Sequence, residues 1–294
     1  MKQLIFKQPQ SPGDLLMLSV AIRDLHLTYP YQYETDVICF YPELFFNNQF
    51  ITKLPKDKNI EIIDLFYNDY AEKLRDRYYH FSDCFIHILN EKLNICIKKT
   101  TSKASIDLTE NEKNKNYVLD KYNLKKNYIL LNAGIKPDIP LKQYPVSYYQ
   151  KIVNELNNDK SFDYDIVQVG HNQHLHPILN GVIDLVGKTN YLRDYFSLVY
   201  NSSGCINHVS LQMHLANTFN KKCIVLAGNR ECEWWNHYKN QIYIESDFNC
   251  NGYDKKGCWK KKRNECEYMG NYYSKCMEMI KPDYVLDKIY SILL

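Results

Sequence analysis

The sequence predicts an α/β protein built from two domains, each with a parallel sheet. Helical and extended patterns alternate along the chain, which is typical of parallel β-α-β units. This alternation stops at a polar stretch, 98–105, and then starts again. The 294 residues, 45% of them apolar, are sufficient for two cores, since domains usually contain about 100–200 residues. We therefore expect domains over 1–105 and 106–280, followed by a C-terminal helix over 281–294.

The first half predicts short strands followed by helices. Apolar runs predict strands over 4–6, 37–40 and 60–65, and apolar residues at helical spacing predict helices over 14–28 and 82–97. Asp14 stands at the start of the first helix, where a carboxylate can cap the free backbone N–H groups.

The second half repeats the pattern with more elements. Strands are predicted over 128–131, 165–169, 182–186, 205–207 and 222–227, and helices over 109–122, 147–157, 191–200, 210–219 and 282–294. The pairs Thr109/Glu112 and Ser147/Gln150 have the spacing of capping boxes at two of these helix starts. Pro282 suits a first helical position.

Ligand sites in open parallel sheets lie beyond the carboxyl ends of the strands. Two such domains facing each other would leave a cleft, with a phosphate-bearing donor on one side and an acceptor on the other. The loops to inspect are therefore 8–14, 132–142, 170–176, 187–190, 208–214 and 228–235.

Charge and hydropathy exclude several classes of protein. The chain has 37 basic and 34 acidic side chains, and its longest basic tract is Lys260–Arg263, so a nucleic-acid partner is not expected. The apolar runs are far shorter than the ~20 residues of a membrane span. Because Lys7 and Pro9 interrupt the N-terminus before any apolar block, no signal peptide is expected and the protein is predicted to be cytoplasmic.

Four motifs follow one another along most of residues 1–230. They are Gly13-Asp14-Leu15-Leu16, 128–134 with Lys142-Gln143-Tyr144, Gly187-Lys188-Thr189 with Leu192, and His214-Leu215-Ala216 running to Gly228. In order and rough spacing they resemble glycosyltransferase family 9, the ADP-heptose:lipopolysaccharide heptosyltransferase-like enzymes.

The resemblance implies the GT-B architecture and an inverting, metal-independent sugar transfer, with the nucleotide sugar held mostly by the second domain. It implies an ADP-sugar as the favoured donor, Asp14 as general base and Lys142 as a diphosphate contact. It also places Ser210 and His214 in the donor loop. The family has Asp-Thr/Ser-Gly before the histidine, whereas this chain has Val209-Ser210-Leu211.

The same residues suit this chemistry by their type. A carboxylate can take the proton of an acceptor hydroxyl, and cations and helix N-termini can stabilise a departing diphosphate. Each candidate also has a structural alternative: Asp14 as a helix cap, Lys142 as a surface lysine, His214 as a buried histidine and Ser210 as a cap. The other donor-binding candidates are Lys136, Asn132, Gly134, Thr189 and Gly228, although the glycines could simply end strands.

Four of the ten cysteines lie together near the C-terminus. Cys250, Cys258, Cys266 and Cys276 fall in a segment, 250–276, that loosely resembles an iron-binding insertion of some heptosyltransferase-like relatives through 257–260 and 275–277. Four thiolates can enclose Fe or Zn as a structural site, and free thiols or two disulfides are the alternatives.

A second cluster, His171, His174 and His176, has no nearby carboxylate in sequence and is not expected to bind a metal.

Two functions remain open from the sequence. The chain is either a glycosyltransferase that acts on a saccharide or protein acceptor, or a catalytically inactive nucleotide-sugar-binding protein of the same fold. The missing acidic residue before Ser210 is what keeps the second possibility open.

Overall fold

The computed structural model describes residues 1–55, 60–124, 126–137, 139–189, 191–250, 258, 266–270 and 272–294. The chain folds into two compact units, Met1–Thr109 (unit 1) and Glu110–Leu294 (unit 2). None of the helices in these ranges combines the length and the apolar character needed to cross a membrane.

Unit 1 contains a three-stranded parallel sheet. Its strands are β1 (Lys2–Lys7), β2 (Tyr33–Ile38) and β3 (Glu61–Asp64), in the order β2-β1-β3. Lys7, at the carboxyl end of β1, is level with Ile38 of β2 and Asp64 of β3. The loops that follow the three strands therefore leave the sheet at the same edge.

Three helices pack around this sheet in the described part of unit 1. They are α1 (Pro12–Thr28), α2 (Asn68–Asp76) and α3 (Cys84–Leu93), with 3-10 turns at Pro42–Phe45 and Phe81–Asp83. The sequence did not predict α2, and the helix predicted over 82–97 extends beyond α3 at both ends. Asn94 ends α3 because its backbone is left-handed, with φ 51°.

The polar stretch 98–105 is held against α1 within unit 1. The backbone N–H and hydroxyl of Thr100 donate to the buried carboxylate of Asp24, at 3.1 and 2.6 Å. The Ser105 N–H donates to the Ser19 hydroxyl at 3.0 Å. These bonds explain how a segment poor in apolar residues can still be ordered.

Unit 2 contains a six-stranded parallel sheet. The strands are β4 (Tyr128–Asn132), β5 (Asp165–Gln168), β6 (Ile183–Asp184), β7 (Gly204–His208), β8 (Lys222–Gly228) and β9 (Gln241–Glu245). Their order is β6-β5-β4-β7-β8-β9, and every neighbouring pair is parallel. The edge strand β9 was not predicted from the sequence.

The helices of unit 2 cover both faces of this sheet. They are α4 (Glu110–Lys113), α5 (Lys115–Tyr122), α6 (Val146–Asn158), α7 (Leu192–Asn201), α8 (Leu211–Thr218), α9 (Glu233–Asn236), α10 (Lys275–Met279) and α11 (Pro282–Leu293). The last helix, α11, shares one core with α6 and the central strands, to which it contributes Val285, Leu286 and Ile289.

Both helices with a predicted capping box differ from the prediction. The helix predicted over 109–122 is divided into α4 and α5, because Asn114 starts a new helix by accepting a hydrogen bond from the Tyr117 N–H at 3.3 Å. Helix α6 begins at Val146, with Pro145 as its N-cap and no side-chain cap, so Ser147 does not cap it.

Glu112, in α4, forms a buried ion pair. Its carboxylate accepts two hydrogen bonds from the guanidinium of Arg193, both at 2.6 Å, and the two side chains are 17% and 4% exposed. Its backbone carbonyl accepts from Ser197 and Asn201. Glu112 therefore fastens α4 to α7.

We predict that Arg193→Met lowers the free energy of unfolding by about 3 kcal/mol, because it leaves the Glu112 carboxylate buried without its bidentate partner. Urea denaturation followed by circular dichroism measures the change. Lys126→Met is the control, since the pair of Lys126 with Asp163 lies on the surface (40% and 86% exposed) and is worth less than about 1 kcal/mol. Equal effects of the two substitutions would contradict a structural role for the buried pair.

Candidate functional site

The carboxyl edge of the unit 2 sheet gathers several of the predicted residues. The loop after β4 carries Lys142, the loop after β7 carries Ser210, and the loop after β8 carries Glu231. These strands are neighbours in the order β4-β7-β8, and Asn132 at the end of β4 is level with Asn207 of β7. Neighbouring parallel strands thus deliver three loops to one place.

Lys142 is the buried cation of this edge. Its ammonium donates to the carbonyl of Val209 at 3.1 Å and pairs with the carboxylate of Glu231. The Lys142 side chain is 17% exposed and that of Glu231 14%. Burial lowers the pKa of Lys142, and the Glu231 carboxylate opposes that shift. Lys142 is therefore not the surface lysine that the alternative interpretation assumed.

Ser210 lies beside this ammonium at the start of α8. It is the N-cap residue, in extended conformation, and its side chain forms no cap hydrogen bond. Its hydroxyl oxygen is buried and has no hydrogen-bond partner among the described residues. A buried hydroxyl and free helix N–H groups next to an ammonium form a site suited to an anion.

His208 belongs to the same cluster, although the sequence did not single it out. Its Nε2 lies 2.5 Å from the carbonyl oxygen of Gly134, and its Nδ1 lies 3.1 Å from that of Val209. Burial lowers the pKa of His208, and the Lys142 ammonium lowers it further. No local sequence pattern marks His208, because its partner Gly134 comes from the loop after a different strand, β4.

Gly134 and Asn132 shape the loop after β4. The Asn132 side-chain oxygen accepts a hydrogen bond from the Gly134 N–H at 3.2 Å. A Cβ on Gly134 would lie 2.0 Å from the ring of His176, and one on Gly170 would lie 2.1 Å from it. These two glycines therefore leave room for the His176 ring.

The remaining donor-binding candidates are less enclosed or have other contacts. Lys136 is exposed and Thr189 is partly exposed. His214 is buried, and its Nδ1 is 2.7 Å from the Tyr238 hydroxyl. At Gly228, φ is +60°, and an added Cβ would lie 2.7 Å from the Met277 sulfur. The space beside Gly228 is thus filled by α10.

In unit 1, Asp14 is the third residue of α1 and closes a capping box. Its Oδ2 accepts hydrogen bonds from the Ser11 N–H at 2.9 Å and from the Ser11 hydroxyl at 2.7 Å. The residue is 8% exposed. The structural alternative for Asp14 is therefore real, and it does not conflict with a second role for the carboxylate.

The four C-terminal cysteines line one pocket of unit 2. Cys250, Cys258, Cys266 and Cys276 surround it together with Asn229, Arg230 and residues of α10 and its flanks. Burial raises the pKa of Cys258 to about 11, and the three other thiols act in the same direction. All four are free thiols. The stretches 251–257 and 259–265, with Trp259 and the basic tract 260–263, lie outside the described residues.

No group of three or more His, Cys, Asp or Glu side chains in the described part of the chain is arranged to hold a metal ion. The rings of the three loop histidines lie near one another. The ring centroids of His171 and His174 are 5.6 Å apart, and those of His174 and His176 are 6.2 Å apart. Burial lowers the pKa of His174 to about 4, and the neighbouring histidines and Lys136 act in the same direction. The four thiols share a pocket without forming a preassembled centre.

Several solved structures share the fold of the whole chain. The glycosyl transferase family 9 protein of Veillonella parvula is 14% identical, with 99% of this chain and 97% of that chain covered and a TM-score of 0.69. Escherichia coli ADP-heptose lipopolysaccharide heptosyltransferase II is 16% identical, with 100% and 98% covered and a TM-score of 0.61.

A third structure is the iron-containing dodecameric glycosyltransferase TibC of enterotoxigenic E. coli. It is 14% identical, with 99% of this chain and 76% of that chain covered and a TM-score of 0.69. No curated protein matches the chain in sequence. At such low identity the structural matches establish the fold alone, which is that of GT-B enzymes with two Rossmann-like domains.

The family is established by the sequence itself. The model of glycosyltransferase family 9 (heptosyltransferase) matches residues 54–266, which is well over half of the chain. The matched range contains three of the four motifs, and Gly13-Asp14-Leu15-Leu16 lies before it. The two parallel α/β units agree with the assignment. The chain belongs to glycosyltransferase family 9 and is a glycosyltransferase.

Proposed function

We propose that this enzyme transfers a sugar, with heptose as the leading candidate, from an ADP-sugar to a hydroxyl group with inversion and without a metal ion at the reacting atoms. Family membership supports sugar transfer, and TibC, which has the same fold, was solved with ADP-D-β-D-heptose. The observation that carries the proposal is the buried Lys142 ammonium, which donates to the Val209 carbonyl, followed at Ser210 by a buried hydroxyl without a partner among the described residues.

The donor diphosphate would bind at this cluster. Lys142 would supply the positive charge, and Ser210 with the N-terminal N–H groups of α8 would donate hydrogen bonds to phosphate oxygens. Glu231 now supplies the negative charge that Lys142 requires. Donor binding would exchange the Glu231 carboxylate for a phosphate, which leaves the net number of ion pairs at Lys142 unchanged.

The departure from the family motif has a structural counterpart. Val209, where the family has an acidic residue, contributes its backbone carbonyl, which accepts from Lys142 and lies near His208. Leu211, in place of glycine, is the first residue of α8. The cation is thus oriented by a carbonyl here, so the loss of the acidic side chain does not leave Lys142 unsupported.

Asp14 is the proposed general base. In the transfer, the acceptor oxygen attacks the anomeric carbon from the side opposite the diphosphate, and the bond from that carbon to the diphosphate oxygen breaks. Asp14 takes the proton of the acceptor hydroxyl, and ADP leaves with the bonding electrons. The two bonds from Ser11 fix the orientation of the carboxylate, which is what a base in this step needs.

We predict that Asp14→Asn lowers the rate of ADP release from ADP-heptose by about 100-fold or more, since the amide cannot accept the proton. ADP release is measured with a set of saccharide and peptide acceptors. ADP affinity, measured by calorimetry, should stay the same.

Ser11→Ala is the matched control. It removes one of the two cap bonds but keeps the carboxylate, so it should reduce stability by about 1 kcal/mol and leave the rate within a few-fold of wild type. If both variants lose the same activity, Asp14 acts only as a cap. If wild type releases no ADP with any acceptor, the chain is a nucleotide-sugar-binding protein without activity.

We predict that Lys142→Met weakens ADP binding by about 10- to 100-fold, because a charge-assisted contact is lost and the Glu231 carboxylate is left to repel the diphosphate. Lys136→Met provides the comparison, since Lys136 is exposed and should change the affinity less than threefold. Titration calorimetry with ADP measures both. A larger loss of ADP affinity in Lys136→Met than in Lys142→Met would show that Lys136, and not Lys142, contacts the diphosphate.

A structural Fe or Zn at the four cysteines forms a further part of the proposal. Thiolates are the ligands that these ions accept as a set of four, and the four thiols share one enclosed pocket. TibC is an iron-containing enzyme. The ion would tie the segment 250–276 to β8 and α10, and it would take no part in the transfer. It would require the thiols to move closer together than they are here.

We predict about one Fe or Zn per purified chain, measured by elemental analysis, and a loss of most of it in Cys258→Ser and in Cys276→Ser. Cys96→Ser is the control, because Cys96 is an exposed thiol of unit 1. Less than one ion per several wild-type chains would rule out the site.

The proposed acceptor is a saccharide or a protein hydroxyl. A cytoplasmic location is also proposed, on the ground that all ten cysteines are free thiols, as is usual in a reducing compartment.

A further inference from the structure

The carboxyl edge of the unit 1 sheet exposes two phenylalanine rings. Phe40 follows β2 and is 74% exposed, and Phe66 follows β3 and is 42% exposed. Each stands two residues beyond a position that is level with Lys7 of β1. The two rings therefore flank the loop that leads from β1 to Asp14, on strands about 10 Å apart.

The backbone around Phe66 is fixed on both sides. The Leu65 N–H donates to the Lys7 carbonyl at 2.9 Å, and the Leu65 carbonyl accepts from the Gln8 side chain at 2.7 Å. The Tyr67 N–H donates to the side-chain oxygen of Gln10 at 3.1 Å. The backbone beside Phe66 is thus anchored while the ring stays in solvent, so the ring is available to a ligand.

Tyr67 strengthens this anchorage. Its ring contacts Phe81 and Phe85 at centroid distances of 5.4 and 6.2 Å. The residue next to Phe66 is thus packed into unit 1, while Phe66 is not. Burying Phe66 against a ligand would recover apolar area that folding leaves exposed.

The polar groups at this edge include two side-chain amides and one lysine that is paired. The side-chain amides of Gln10 and Asn68 lie 3.4 Å apart next to Phe66. The charges that end the strands, Lys7 and Asp64, pair with each other at 3.2 Å. Unit 1 as a whole carries 13 basic and 14 acidic side chains. Such a surface has no excess of positive charge with which to bind a phosphorylated acceptor.

We propose that Phe40 and Phe66, with the amides of Gln10 and Asn68, bind the acceptor, and that the acceptor is an uncharged saccharide. The apolar C–H face of a sugar ring packs on an aromatic ring, and its hydroxyls bond to amides. The inference rests on the proposed function, because it places the acceptor at the loop of the proposed base. It specifies the chemical class that the family assignment leaves open.

The test is binding of the full chain to an array that carries neutral oligosaccharides, phosphorylated saccharides and serine-containing peptides. We expect wild type to retain neutral oligosaccharides. The double variant Phe40→Ala/Phe66→Ala should bind them at least about tenfold more weakly. Tyr31→Ala is the matched control: Tyr31 is 89% exposed and precedes β2, at the amino end of the sheet, so binding should not change.

The outcomes separate this inference from the proposed function. ADP affinity of the same proteins reports on unit 2 and should be equal in wild type and both variants. Retention of phosphorylated saccharides or peptides instead of neutral ones overturns the inference, as does unchanged binding by the double variant or no binding by wild type. If wild type does not bind ADP, the proposed function is overturned. The array still decides the class of the acceptor in that case.

Discussion

The donor-side cluster depends on one constraint, the neutralisation of the buried Lys142 ammonium. An ammonium removed from water costs several kcal/mol unless it is paired and hydrogen-bonded. Glu231 and the Val209 carbonyl meet this need, and they arrive on the loops after β8 and β7. The Lys142 side chain thus joins three loops, and the parallel order β4-β7-β8 is what makes their meeting possible.

The same constraint bears on how a donor would bind. A phosphate that reaches Lys142 replaces an anion that is already in place, so the affinity would be the difference between two ion pairs and not the full value of one. The Ser210 hydroxyl does not share this cost, because its oxygen has no described partner to lose. In our proposal, Ser210 and the α8 N-terminus therefore add to the affinity without losing a partner, whereas Lys142 contributes the difference between its phosphate pair and its Glu231 pair.

The sequence predicts those features whose causes are local. Helix α1 and the apolar strands of both units follow from periodicity and from turn residues such as Pro12. The Ser147 capping box is wrong because Pro145 starts α6 earlier. The bond of Glu112 to Arg193, far away in sequence, has no local signal. In the site, residue type indicated Lys142 and Ser210. The pairing with Glu231, the contacts of His208 and the filling of the space at Gly228 are tertiary, so no pattern in the chain shows them.

In our proposal the charge that meets the donor is local and is not a property of the whole unit. Unit 2 has 24 basic and 20 acidic side chains, but the stretch 251–265 alone contains six basic and two acidic ones, so the remainder of unit 2 is balanced. Unit 1, with 13 and 14, is close to balance as well. A balanced charge supplies no long-range field that steers a diphosphate. Lys142 and the start of α8 would therefore recognise the charge of the donor at contact distance, and unit 1 would recognise an uncharged, hydroxyl-bearing surface.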